Sequence, residues 1–178
     1  MEKIITLTID GIEVKAPEGT TILDAARKVG IDIPTLCFLK DINEVGDCRM
    51  CVVEVEGRRG FATSCIQKVE EGMVVHTNTK NVLDARHIVL DLILSNHPKD
   101  CLECIRSGNC ELQELAKKFN MPEIEFPGER TKHPIDDKSP SIVRDFSKCV
   151  LCRRCIATCK KVQGIGAIDC INRGFESC

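Results

Sequence analysis

Hydrophobic and polar positions change their rhythm several times along this chain, and each change marks an element. From Lys3 to Lys15 they alternate. Ile5, Leu7 and Ile9 fall on one side, Thr6 and Thr8 on the other, and Ile12-Glu13-Val14-Lys15 resumes the pattern after Asp10-Gly11. Alternation on both sides of Asp-Gly predicts a β-hairpin. A helix is expected over residues 22–29, capped by Thr20 or Thr21 and ended by Gly30. A hairpin followed by a helix is how a β-grasp fold starts. Short strands are expected over residues 52–56, 60–64 and 73–77. The helical period returns over residues 80–96, where Val82, Ala85, Val89, Leu92 and Ile93 make an apolar stripe. It returns again after Cys110 with Leu112, Leu115, Ala116 and Phe119, and Pro98 and Pro122 help to stop the two helices. Residues 122–141 lose all periodicity, gain proline and charge, and read as a linker lying over the surface.

Composition changes this picture in one respect. Tryptophan and tyrosine are absent and there are 6 phenylalanines, so the modules have little aromatic mass to bury. Small modules with thin cores need metals or disulfides as staples. The 13 cysteines can serve as either. No charged-then-apolar leader opens the chain, so the thiols are expected to stay reduced and to bind metal. The net charge of -2 offers no basic field for nucleic acid. The most apolar run, residues 88–94, is interrupted by Asp91 and is far short of the roughly 20 residues of a membrane span. A soluble, cytoplasmic protein is expected.

The candidate chemistry lies in three runs of thiols. Cys37, Cys48, Cys51 and Cys65 are spaced C-x10-C-x2-C-x13-C. Four thiolates from one loop and a strand end can enclose a 2Fe–2S cluster or one zinc ion. Zinc ribbons prefer two C-x2–4-C knuckles, and one pair with two singles suits a 2Fe–2S loop better. Gly46, just before the pair, is expected to let backbone N–H groups approach the cluster sulfurs. His97, Cys101, Cys104 and Cys110 read H-x3-C-x2-C-x5-C. Three cysteines lack one ligand for a closed site, and His97 supplies it; His76, His87 and His133 have no such company and read as structural. Cys149, Cys152, Cys155 and Cys159 form the C-x2-C-x2-C-x3-C run of bacterial ferredoxins, in which three cysteines grip one 4Fe–4S cube and the fourth ligates its neighbour. No second run follows. Either Cys170 or Cys178 completes one cluster, or the chain stops halfway through a two-cluster domain, and the second is expected. No residue has the setting of a nucleophile, acid or base, so no catalytic residue is assigned.

These runs, in this order, resemble the N-terminal electron-relay region of the large subunit of iron-only (FeFe) hydrogenases, particularly the multi-subunit, NAD(P)-linked bifurcating type. The same region occurs in the large iron–sulfur subunit of NADH dehydrogenase and in NAD-linked formate dehydrogenases. The resemblance covers essentially the whole chain. It is carried by Gly46-Asp47-Cys48-Arg49-Met50-Cys51, by His97-Pro98-Lys99-Asp100-Cys101-Leu102-Glu103-Cys104, and by the ferredoxin run with Gln163-Gly164-Ile165-Gly166 and Arg173-Gly174-Phe175. The wording of residues 143–152 and 173–177 looks nearest to the hydrogenase.

The resemblance implies an α+β chain. A β-grasp 2Fe–2S domain would occupy 1–79, with Cys37, Cys48, Cys51 and Cys65 as ligands. A small helical 4Fe–4S domain would occupy 80–121, held by His97, Cys101, Cys104 and Cys110. After the linker 122–141, an incomplete ferredoxin-like domain over 142–178 would begin a further 4Fe–4S cluster with Cys149, Cys152 and Cys155. Its fourth ligand would lie beyond Cys178, and Cys159 would belong to a neighbouring 4Fe–4S cluster. The implied partners are a flavin-containing NAD(P)H-oxidising subunit, a small 2Fe–2S subunit and soluble ferredoxin. One departure stands out: Arg153 occupies a place where many relatives have glycine. The rival of another class is a zinc-stabilised interaction module without a redox role.

Overall fold

A computed structural model describes residues 3–121, 123, 125, 126 and 128–178. The chain divides into two compact units, Met1–Val89 and Leu90–Cys178.

The first unit is built on a mixed sheet of 5 strands in the order β2-β1-β5-β3-β4. Strands β1 (Ile4–Ile9) and β2 (Ile12–Pro17) are the expected hairpin, paired in register from Ile4↔Pro17 to Ile9↔Ile12. Both turn residues, Asp10 and Gly11, have positive φ, as a tight turn that matches the strand twist requires. Strand β5 (Val74–His76) lies parallel to β1, and β3 (Val52–Val55) runs antiparallel to both β5 and β4 (Phe61–Thr63). Strands β3, β4 and β5 are each one or two residues shorter than the sequence suggests.

Helix α1 (Ile22–Lys28) starts at Thr21, whose side chain accepts the Asp24 N–H at 3.1 Å. Its inner residues Ile22, Leu23, Ala25 and Ala26 join Ile5, Leu7, Ile9, Val53 and Val75 in one core. That core is aliphatic, with Phe38 as its aromatic member. Fully burying each such aliphatic side chain contributes roughly 1.5–3 kcal/mol relative to leaving it exposed, so this unit has an apolar core of its own.

Helix α2 (Lys80–Ser95) runs across the division between the units. Its fully buried positions include Val82, Arg86, Leu90 and Asp91, whereas Leu92, placed in the apolar stripe by its period, is 52% exposed. Two ionisable residues thus lie on the inner face.

In the second unit α3 (Glu111–Lys118) buries Leu112 and Leu115, and α4 (Arg154–Lys161) buries nothing fully. Leu90, Leu112 and Leu115 are the buried apolar residues there among those described. The linker segment is tied down by hydrogen bonds. Asp91 accepts the N–H groups of Glu125 and Phe126 at 3.1 and 3.0 Å, and Asn96 exchanges two bonds with Thr131. Asp136 and Arg144 pair as an isolated bridge. Among the described residues no helix is long and apolar enough to cross a membrane.

Candidate metal centres

The first set lies in the loop between α1 and β3 and at the end of β4. Cys37, Cys51 and Cys65 are buried and Cys48 is partly so. The loop is fixed from several sides. The Asn43 amide donates to the Cys37 carbonyl at 2.8 Å, and the Ser64 hydroxyl donates to the Cys51 carbonyl at 2.7 Å. The N–H groups of Ile22 and Leu23, at the start of α1, donate to the carbonyls of Gln67 and Ser64 and so hold the Cys65 turn. The Cys37 N–H points at the Cys48 sulfur at 3.4 Å, the contact that stabilises a sulfur carrying negative charge.

The four thiols form two pairs. Cys48 accepts from Cys37, which draws the Cys48 thiol down to about 6 despite its burial. Cys51 accepts from Cys65 and is drawn down to about 7. Cys37 and Cys65, the donors, are pushed up by those same bonds and by burial. Within each pair one sulfur is favoured as the thiolate at its partner's expense, and the thiolate is the form that binds metal. Gly46 has φ +69°, and a Cβ there would stand 3.1 Å from both Ile66 Cδ1 and Thr63 Cγ2. The glycine is needed for the turn and to let the loop close against Thr63 and Ile66.

The second set follows α2. His97, Cys101 and Cys110 line one apolar-walled cavity of about 230 Å³ with Leu94, Leu112 and Met121. Cys104 is joined to Cys101 by a turn, its N–H donating to the Cys101 carbonyl at 3.3 Å. Cys110 is the first flanking residue of α3, and the Glu114 N–H bonds its carbonyl at 3.0 Å. Burial pushes the His97 imidazole below its ordinary value, with Lys148 and Arg130 adding to this and Asp100 opposing it. A neutral ring is the form that can donate a lone pair to a metal.

The third set lies before and on α4. Although the residue is exposed, partial desolvation of its sulfur raises the Cys149 thiol, and the bond from the Leu151 N–H opposes the rise. Cys155 and Cys159 stand one helical turn apart on α4. The Cys149 sulfur accepts the Leu151 N–H at 3.4 Å and the Cys159 sulfur accepts the Ala167 N–H at 3.2 Å. Leu151 and Arg153 have left-handed backbone, with φ 54° and 58°. Glycine takes this conformation without cost, which gives the residue at 153 a structural meaning.

Two ion pairs join the second set to the third. Asp100, beside Cys101, meets Lys148, beside Cys149, at 2.9 Å. Glu111, beside Cys110, meets Arg154, beside Cys155, at 2.6 Å. His97 and Cys149 line one further cavity of about 230 Å³ with Ile93, Val150 and Leu151. The remaining histidines have protein partners or none of this company. His76 bonds Glu56 at 2.8 Å, and His133 packs edge-on against Phe146. Sequence reasoning missed Arg86. The available signal was a charged residue four positions from Val82 and four from Leu90, in the middle of an apolar stripe.

A β-grasp sheet with a buried four-cysteine loop, followed by a His-Cys loop between short helices, defines the class of iron–sulfur proteins. Residues 2–80 match the 2Fe-2S iron-sulfur cluster binding domain, and residues 86–125 match the NADH-ubiquinone oxidoreductase-G iron-sulfur binding region. The chain is 51% identical over 179 residues to the NADP-reducing hydrogenase subunit HndD of Solidesulfovibrio fructosivorans, covering 98% of this chain and 31% of that protein. It is 37% identical over 176 residues to a G-type subunit of the NADH-quinone oxidoreductase of Rhizobium meliloti, covering 98% of this chain and 21% of that one. A chain in the crystal structure of an NAD+-reducing [NiFe]-hydrogenase in its H2-reduced state superposes with a TM-score of 0.90 at 30% identity, over 97% of this chain and 73% of that one. The chain belongs to the iron–sulfur family that the G-type subunits of NADH-quinone oxidoreductases share with subunits of NAD(P)-linked hydrogenases. It spans about a third or less of the length of these two curated relatives. The family carries 2Fe–2S and 4Fe–4S clusters, and the first donor set, four cysteines in two hydrogen-bonded pairs with a directed backbone N–H, fits such a group.

Proposed function

We propose that this chain is the electron-relay region of an FeFe hydrogenase large subunit of the NAD(P)-linked, bifurcating type. Cys37, Cys48, Cys51 and Cys65 hold the 2Fe–2S cluster, and His97, Cys101, Cys104 and Cys110 hold a 4Fe–4S cluster. Cys149, Cys152 and Cys155 hold part of a further 4Fe–4S cluster whose fourth ligand lies past Cys178, and Cys159 ligates a neighbouring one. The clusters, when bound, supply one-electron carriage. The protein's residues fix their spacing, shield them from water and set their potentials through charge and hydrogen bonds to sulfur. H2 oxidation or evolution, coupled to NAD(P)H and ferredoxin, belongs to a centre outside these residues. The partners are a flavin-containing NAD(P)H-oxidising subunit, a small 2Fe–2S subunit and soluble ferredoxin, in the cytoplasm.

The observation that carries the relay is the cavity that His97 of the second set and Cys149 of the third line together. Support for the hydrogenase comes from the higher identity to the NADP-reducing hydrogenase subunit. The relatives from NADH-quinone oxidoreductases favour a second reading, the relay of an NADH or formate dehydrogenase.

His97→Cys tests the relay. Replacing a neutral ligand by a thiolate adds negative charge, so the cluster is expected to persist with a lower reduction potential. An unchanged spectrum and potential in His97→Ala would remove His97 from the ligand set. The hydrogenase is tested on the native complex, which is expected to reduce NAD(P)+ with H2 and to contain no nickel. Stoichiometric nickel, or absence of H2 turnover, would reject the FeFe assignment.

A further inference from the structure

Helix α2 carries a buried guanidinium to which no ligand or relay role has been given. Arg86 is 4% exposed, between Val82 and Leu90, each 0% exposed. Its Nη2 donates at 2.7 Å to the carbonyl of Val52, the residue after Cys51. Its Nε is buried with no hydrogen-bond partner, and among the described residues Arg86 takes part in no ion pair. A buried charge without a counter-charge is strongly destabilising. Arginine is the side chain least able to escape by giving up its proton. Negative charge near it would therefore be stabilising.

The groups whose charge favours ionised Arg86 are Cys51 first, then Asp10 and Asp32. Asp10 and Asp32 are weaker influences than Cys51, and the Asp10 carboxylate also accepts the Thr77 N–H at 2.7 Å and the Thr77 hydroxyl. Burial weighs most and disfavours the charge; the foremost of the charges that offset it is a cysteine of the first ligand set, one peptide unit from the carbonyl on which the guanidinium is anchored.

We propose that Arg86 is the counter-charge of the first metal centre, compensating the negative charge gathered at Cys37, Cys48, Cys51 and Cys65 and holding up the reduction potential there. It rests on those four cysteines being the 2Fe–2S ligands. Four thiolates and two sulfides around two ferric ions leave a net negative charge, and one-electron reduction adds to it. A fixed cation favours the more negative state. Because the guanidinium is buried, salt screens it little. Arg86 is a tuning residue, acting through the ligands and touching no substrate.

The test uses the native polypeptide with its clusters loaded, titrated potentiometrically while the 2Fe–2S signal is followed by electron paramagnetic resonance. Arg86→Met, which keeps bulk and removes charge, is expected to lower the midpoint potential at unchanged cluster content, equally in low and high salt. Arg86→Lys is expected to retain most of the parent value. Arg86→Gln keeps a donor for Val52 without the charge and is expected to match Arg86→Met; it also serves if Arg86→Met does not load. A parent-like midpoint in Arg86→Gln or in loaded Arg86→Met would overturn the proposal, since hydrogen bonding or packing would then be the whole role. Absence of any 2Fe–2S signal in the parent would instead reject the ligand assignment, and the proposal with it.

Discussion

Arg153 is the residue at which sequence and backbone conformation meet most sharply. Its φ of 58° lies in the left-handed region immediately before α4, where a side chain crowds the following carbonyl. The arginine is retained next to a ligand although its conformation is one that glycine takes freely. Arg153→Gly is expected to raise stability by about 0.5–1 kcal/mol, read as a higher urea midpoint. It is also expected to lower the potential of the third centre, because a positive charge beside Cys152 is removed. A fall in stability would mean that contacts of the Arg153 side chain outweigh its strain. Gly46 shows the opposite case, a glycine that both its φ and its neighbours Thr63 and Ile66 require.

At the scale of elements, the ion pairs Asp100–Lys148 and Glu111–Arg154 join segments that the chain separates widely. All four side chains are partly exposed, and such a pair contributes only about 0–1 kcal/mol. Their value is therefore positional: two clasps, each next to a ligand, restrain the gap that His97 and Cys149 line. The double variant Asp100→Asn with Glu111→Gln is expected to leave cluster content and global stability nearly unchanged. The magnetic interaction between the two reduced clusters is expected to weaken and broaden. A splitting identical to the parent's would show that packing alone holds the gap.

Neither clasp was legible in the sequence, because spacing along a chain says nothing about which distant charges meet. The hairpin, α1 and α3 were legible, since alternation and the helical period record which face is buried. The iron–sulfur character was legible for a different reason: that chemistry is written as residue type and covalent spacing. The inner face of α2 was only half legible. A period that scores hydrophobicity passes over Arg86 and Asp91, and it places Leu92 inside when it is exposed.

Over the whole molecule, the two units bury their thiols to different extents. In the first, Cys37, Cys51 and Cys65 are each 1% exposed beneath an aliphatic core. In the second, Cys101, Cys149 and Cys155 are exposed, and Leu102 and Ile105 beside the His97 set are each 99% exposed. With so few buried apolar residues among those described, the second unit is expected to depend on bound metal for much of its order. Chelation is therefore expected to unfold Leu90–Cys178 while leaving the sheet of Met1–Val89 intact, as hydrogen exchange resolved by segment would report.

The uneven depth of the thiols has a practical consequence in air. Dioxygen attacks first where sulfur and iron meet solvent, so the cubanes at the exposed loops would be bleached while the centre under the sheet survived. A preparation made at the open bench would then retain a single rhombic signal and about two irons per polypeptide, and would pass for a small plant-type ferredoxin. Its iron count would record the history of its handling, and only material kept anaerobic from cell breakage onward would show how many electrons the chain was built to carry.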